Sequence, residues 1–185
     1  MNLLFTQKPE RTFVLFKETT PVKYHLTTVL MAALLGLFSI ATATAAPDDR
    51  DALNGVKTGK VIFDVNMAEA KKMTLYLRVI RETVDDLRRQ GVTPDVILAF
   101  RGLSVRLVST DREQMPLEDF PHLDTIADQL ADLRAQGVRM EACSVATRLF
   151  NIDNATLLDG VKPVGNTFVS LTGYQAQGYA NIPIY

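Results

Sequence analysis

Cys143 is the one cysteine in the chain, and it stands where an apolar stretch, VRMEA at 138–142, gives way to Ser144 and a helix-like run. A thiol at the carboxyl end of a strand and the amino end of a helix ionises more readily than a free one. The helix terminus presents unpaired N–H groups and partial positive charge. Such a thiolate can take up sulfur as a persulfide or act as a redox thiol. The same residue type also serves as a small buried hydrophobe, since free cysteine is among the most buried side chains. No CxxC is present, which excludes dithiol–disulfide exchange within one chain. A lone thiol remains: buried and inert, bridged to a second chain, or free and reactive.

Other polar residues fall where apolar runs end. Arg101-Gly102 breaks the run DVILAF, Asn66 follows KVIFDV, and Asn166 follows Gly165 after KPV. Arg101 is placed to hold an anion across from Cys143, or else to form an ordinary salt bridge. Asn66 and Asn166 are either polar site residues or turn and cap residues, a common use of asparagine after a strand. Ser144 opens the helix after the cysteine. His122 follows Pro121 at a helix start, and His25 lies in the amino-terminal leader. There is no Cys/His cluster for a metal, no GxGxxG, no P-loop and no GxSxG, so neither a cofactor nor a metal is expected. One histidine after the leader makes a hydrolase triad a poor fit. Tyr174, Tyr179 and Tyr185 form a carboxyl-terminal aromatic group suited to core or subunit contact.

The elements that must position these residues alternate in type. Residues 60–65 read as a buried strand. Residues 67–90 read as a long helix, with Met73, Tyr76, Ile80, Val84 and Leu87 inward and Asp85 placed to pair with Arg89. A second strand spans 95–100, and 103–109 fits either a helical turn or an extended piece. Residues 111–121, with two prolines, read as a loop. A helix spans 122–136, with Leu123, Ile126, Ala127, Leu130 and Leu133 inward, and a strand covers 138–142. A short helix over 144–150, a turn over 151–160 with a helical turn at 155–158, and a strand at 162–164 follow. The last helix spans 166–177, with Phe168, Leu171 and Tyr174 or Gln175 along one side. A terminal strand, 179–185, is assigned to an edge by Pro183. RRQGV, RAQGV and QAQGY repeat the same punctuation: helix end, glycine cap, strand start. Such alternation predicts an α/β three-layer sandwich, a mainly parallel open sheet of about five strands with helices on both faces. Ligands bind such sheets outside the carboxyl ends of the strands, where Asn66, Arg101, Gly102, Cys143, Ser144 and Asn166 would converge.

Residues 1–45 read as a secretory signal peptide. Lys8, Arg11, Lys17 and Lys23 lead into an apolar run at 26–40, and small residues allow cleavage after Ala45. The alternative is an uncleaved leader, which would be the chain's only tie to a membrane. A flexible tether over 46–58 would join it to the domain at 59–185. Export implies a periplasmic or secreted protein in an oxidising compartment. About 140 residues remain after the leader, enough for one domain with its own core. With 20 basic and 21 acidic residues in the whole chain and no basic stripe, nucleic acid is not an expected partner.

The segments KVIFDVN with its long helix, DVILAFRGLSVRLV, VRMEACSVATRLFNIDNATLLDGVKPV and FVSLTGYQAQGYANIPIY together resemble the DsrE/DsrF-like family, in particular its small stand-alone members. The resemblance implies the same three-layer fold and a homo-oligomer, typically a trimer or hexamer. In members that oxidise sulfur or thiolate tRNA, a cysteine carries persulfide sulfur between partner proteins. It therefore implies a sulfur-binding or relay role for Cys143, sulfurtransferase-like at most, with a sulfur-carrier protein as partner. Relatives often have His-Gly where this chain has Arg101-Gly102, and arginine stays protonated, so it cannot replace a histidine base. The contrasting reading is a non-catalytic oligomeric module that binds a small ligand at the strand ends and keeps Cys143 as a structural residue.

Overall fold

The computed structural model describes residues 47–185, and the leader expected at 1–45, with His25, lies outside the described residues. Five strands form one parallel sheet: β1 (Thr58–Val65), β2 (Thr93–Phe100), β3 (Arg139–Cys143), β4 (Val161–Val164) and β5 (Ala180–Ile184), in the order β4-β3-β2-β1-β5. The helices are α1 (Ala70–Arg89), α2 (Ser104–Leu107), α3 (Phe120–Ala135), α4 (Ser144–Leu149) and α5 (Thr167–Ala176), with short 3-10 turns at Leu117–Asp119 and Asn154–Thr156. The expected fold class is the one observed.

The pleat divides the strands between two unequal faces. Val61, Phe63 and Val65 of β1, Val96, Leu98 and Phe100 of β2, and Met140 and Ala142 of β3 turn to one face. There they pack against Met73, Leu77, Ile80 and Val84 of α1 and Leu123, Ile126, Leu130 and Leu133 of α3. The opposite face is covered by α5 alone among the longer helices, with Leu171 and Tyr174 against Ile62, Ile97 and Ala99. The chain steps from β1 through β4 in one direction and then returns to β5 beside β1. Right-handed crossovers put the returning helix on the other face.

Several local expectations are corrected. Residues 67–69 lie outside the helix and α1 starts at Ala70, with Leu77 buried where Tyr76 is only partly so. Arg89 pairs with Asp86 at 2.8 Å rather than with Asp85, which lies nearer Arg88 and Arg81. On an exposed helix face the three- and four-residue spacings compete almost equally. Helix α3 starts at Phe120, because Pro121 sits in the first turn, where its missing N–H costs nothing. The ambiguous piece at 103–109 contains α2, and the helical turn after α4 is a 3-10 turn one residue earlier than expected. Phe168 does not line the inner side of α5; Thr167 and Leu171 are the buried pair, and Phe168 is exposed.

Segment 50–55 makes turns, and Asp49 exchanges hydrogen bonds with Gln90: its N–H donates to Oε1 at 2.6 Å, and Nε2 donates back to its carboxylate at 3.0 Å. The three repeated glycines, Gly91, Gly137 and Gly178, all take positive φ, as helix caps before a strand require. Among the described residues no helix is long and apolar enough to cross a membrane.

Candidate functional site

The register of the sheet brings the chemistry-bearing residues to one edge. β2 pairs with β3 up to Phe100↔Ala142, and Arg101 and Cys143 are the residues that follow this last pair. Asp64 of β1 is on the same face, paired with Ala99, which in turn pairs with Glu141. The face beneath α5 therefore carries Asp64, Arg101, Glu141 and Cys143 near its carboxyl-terminal edge.

Cys143 ends β3, precedes α4 and is 5% exposed. Its sulfur is met by more than the helix that follows it. The N–H of Thr167, the first residue of α5, donates to Sγ at 3.5 Å. Burial pushes the thiol's ionisation up, but the Thr167 hydroxyl, the Thr167 N–H and the N–H groups of Ala146 and Val145 outweigh it and bring the thiol below its ordinary value. Val105, Ala146 and Ile152 pack around the residue as a small apolar cluster. A disulfide to a second chain would require this cover to open.

Folding thus favours the thiolate, which fixes a pH dependence. A depressed folded value contributes stability that is complete above the unfolded thiol value, about pH 8.5, and is lost as pH falls through the lowered folded value. The difference in unfolding free energy between the native chain and Cys143→Ser is expected to grow with pH across that window and then level off. Urea titrations at a series of pH values measure it; a difference independent of pH would mean that the folded state does not favour the thiolate.

Arg101 is not turned to the sulfur. Its Nε and Nη2 donate to the two carboxylate oxygens of Asp64 at 2.6 and 2.9 Å. The guanidinium lies 5.3 Å from the Phe168 ring centre and 6.0 Å from that of Tyr185. Asp64 holds it firmly protonated against the opposing effect of burial. Of the two readings of Arg101, an anion holder or a salt-bridge partner, the observed contacts are those of the second. Asp64 is 5% exposed and was not singled out in the sequence. The available signal was a carboxylate at an inward position of an otherwise apolar strand.

Gly102 (φ 55°) lies against the Asn66 side chain, and the Asn66 N–H donates to Ile184 at 2.8 Å. These two residues shape the turn beside Arg101. The Ser144 hydroxyl accepts from Asn154 Nδ2 at 3.3 Å. Asn166 caps α5, its side chain accepting from the Phe168 N–H at 2.9 Å. Cys143 and Asn166 are therefore joined through Thr167, a residue sequence reasoning passed over. Asn66, Gly102 and Arg101 form a neighbouring group tied to Asp64.

A polar network steadies the far end of α5. The Tyr174 hydroxyl donates to Glu141 at 2.8 Å, the Tyr179 hydroxyl to Asp95 at 2.5 Å, and Arg139 donates to Asp95 and Tyr179 at 2.7 Å each. The rings of Tyr174 and Tyr179 meet edge-on at 5.2 Å, whereas Tyr185 belongs to the Arg101 group. With its last turns fixed, α5 keeps its first turn on the sulfur. Among the described residues no three His, Cys, Asp or Glu side chains are grouped to hold a metal.

A family model described as the DsrE/DsrF-like family matches residues 60–184. An uncharacterised protein of Aquifex aeolicus (strain VF5) is 23% identical over 125 residues, which are 67% of this chain and 55% of that protein. The chain thus spans about half the length of that curated relative. Among solved structures, a protein of unknown function from Methanobacterium thermoautotrophicum superposes with a TM-score of 0.55 at 22% identity, covering 68% of this chain and 98% of that one. The ychN protein from E. coli gives 0.49 at 22% identity, covering 69% and 100%. At 22% identity the likeness to the Methanobacterium structure is one of fold.

Proposed function

The chain belongs to the DsrE/DsrF-like family, and we propose that it is an exported member that binds sulfur at Cys143 as a persulfide and passes it to a sulfur-carrier protein. The observation that carries this reading is the sulfur of Cys143 held at the first turn of α5, where hydrogen bonds favour its anion. The thiolate is the nucleophile in sulfur transfer. It attacks the outer sulfur of a donor persulfide, R–S–SH. A bond forms between Sγ and that sulfur, the donor S–S bond breaks, and its electron pair leaves on R–S⁻. The products are Cys143–S–SH and a thiolate, with no net oxidation or reduction, so no cofactor is required. The same exchange with a carrier thiolate returns Cys143 to its starting state.

Export rests on the order of charge, apolar run and small residues at 1–45. A homo-oligomer, trimer or hexamer, is proposed from the sequence resemblance. Leu75 and Val79, one turn apart on α1 and both exposed, give an assembly surface something to bury.

Incubation of the native full chain with a low-molecular-weight persulfide is expected to add one sulfur atom to Cys143, read by mass spectrometry. An alkylating reagent near neutral pH is expected to block that uptake. Cys143→Ser should fold and assemble but take up none. A thiol that stays inert to both reagents until the chain is denatured would sink the proposal.

A further inference from the structure

Of the N–H groups from Thr167 to Ser170 in the first turn of α5, only one leaves the helix and its cap. The Phe168 N–H goes to the Asn166 side chain, and those of Val169 and Ser170 go to the Asn166 carbonyl at 3.0 and 3.2 Å. The N–H of Thr167 goes to Cys143 Sγ at 3.5 Å. Thr167 is 1% exposed, and among the described residues its Oγ1 makes no hydrogen bond at all, to Cys143 Sγ or to any other atom. A buried hydroxyl without a partner is costly, and valine would fill the same volume without that cost. A neutral thiol is a weak acceptor, so the hydroxyl is fully satisfied only when the sulfur beside it carries charge.

We infer that Thr167 is the positioning residue of the Cys143 site: its N–H holds the sulfur, and its buried, unpartnered hydroxyl joins that N–H when the sulfur carries charge, keeping it ready to accept or release sulfane sulfur. This rests on the sulfur-binding reading for its purpose, but not for its geometry. The ionisation of Cys143 agrees with it, since the Thr167 hydroxyl leads the influences that favour the thiolate against burial.

No formal charge does the same work as directly. Arg101, just past the end of β2, is neutralised by Asp64 of β1. Glu141, two residues earlier on β3, is bound by Tyr174 of α5 and would oppose a thiolate. Lys162 of β4 pairs with Glu141 in the register and is exposed, as is Arg148 of α4. The Arg106 guanidinium of α2 lies over the Phe150 ring at 5.3 Å, and Tyr185 is engaged with Arg101.

The test is a titration that does not depend on reagent access. The single cysteine is labelled with 13C at Cβ in the full chain and its chemical shift followed against pH by NMR. Thr167→Val and Thr167→Ala, which both lack the hydroxyl, are expected to raise the midpoint by about one pH unit, roughly a tenfold loss of thiolate near neutral pH. Thr167→Ser keeps the hydroxyl and should return most of the shift, which a merely structural role would not produce. Two hydroxyl-free variants guard against one of them misfolding. Midpoints that coincide with wild type in the folded hydroxyl-free variants would overturn the role of Thr167 even if wild type takes up sulfur. A wild-type thiol that titrates low, rises in those variants and still takes up no sulfur supports that role while overturning the sulfur reading.

Discussion

Replacing Asp64 by alanine is expected to destabilise the fold by about 3 kcal/mol, the low end of the range for removing one partner of a buried ion pair. The carboxylate receives two parallel N–H bonds from Arg101, at 2.6 and 2.9 Å, so both of its oxygens are used. Without it the guanidinium stays on the inner sheet edge between Phe168 and Tyr185 with its charge uncompensated. The low end applies because the Arg101 side chain is 18% exposed, so water reaches part of it. The cost comes from the charge left behind and not from the bond removed. Asp64→Leu combined with Arg101→Met is therefore expected to be more stable than Asp64→Ala alone. Urea unfolding of the single and double variants measures both, with the midpoint read at constant slope. A loss below about 1 kcal/mol for Asp64→Ala would place the pair among ordinary surface salt bridges.

This pair also shows where the sequence stops being readable. KVIFDV reads correctly as a buried strand because Val61, Ile62, Phe63 and Val65 are apolar and buried, with Lys60 exposed at its start. The remaining residue, Asp64, has its partner 37 residues away, and only the alignment of β1 with β2 brings the two together. Helix ends were legible from local chemistry, as the capped glycines Gly91, Gly137 and Gly178 confirm. The start of α3 was misplaced because Pro121 fits a loop and a first helical turn equally well.

The candidate site divides along the same line. Cys143 at a strand end before a helix follows from the order of residues, and the structure places it there. The sequence offers α4 as the source of N–H groups, yet α4 has only 6 residues. The longer α5, with 10 residues, supplies the closer contact from Thr167, 24 positions away. That meeting depends on β4 pairing beside β3, with Cys143 opposite Val164, so that the turn at Gly165 and Asn166 delivers α5 onto the sulfur. No local pattern in TFVSLTGYQA marks its threonine as a sulfur ligand. The apolar residue beside it, Phe168, looks like the core position by spacing, and it is the one that faces outward over Arg101.

Gly102→Ala is expected to cost about 2 kcal/mol, from two sources that a double variant separates. The first is conformational: φ is 55°, in the left-handed region where a side chain crowds the following carbonyl, at roughly 1–2 kcal/mol. The second is contact. A Cβ built on Gly102 runs into the amide of Asn66, which must swing away. The Asn66 side chain is flexible, so this part is the smaller. Asn66→Ala removes the obstruction and leaves the backbone strain, so Gly102→Ala is expected to cost less in that background than in the native chain, but not to become neutral. Chemical denaturation of the four chains gives the coupling directly. Full rescue by Asn66→Ala would assign the whole cost to contact, and no rescue would assign it to the backbone. The turn matters to the site because it sets where Arg101 leaves β2. Its N–H donates to Val65 at 3.0 Å, and the hydroxyl of buried Ser104 shares its one proton between the carbonyls of Val65 and Arg101, at 2.9 and 2.8 Å. Strain at Gly102 is thus transmitted to the arginine held by Asp64. Sulfur uptake at Cys143, which depends on α5, is expected to survive in the folded fraction of Gly102→Ala.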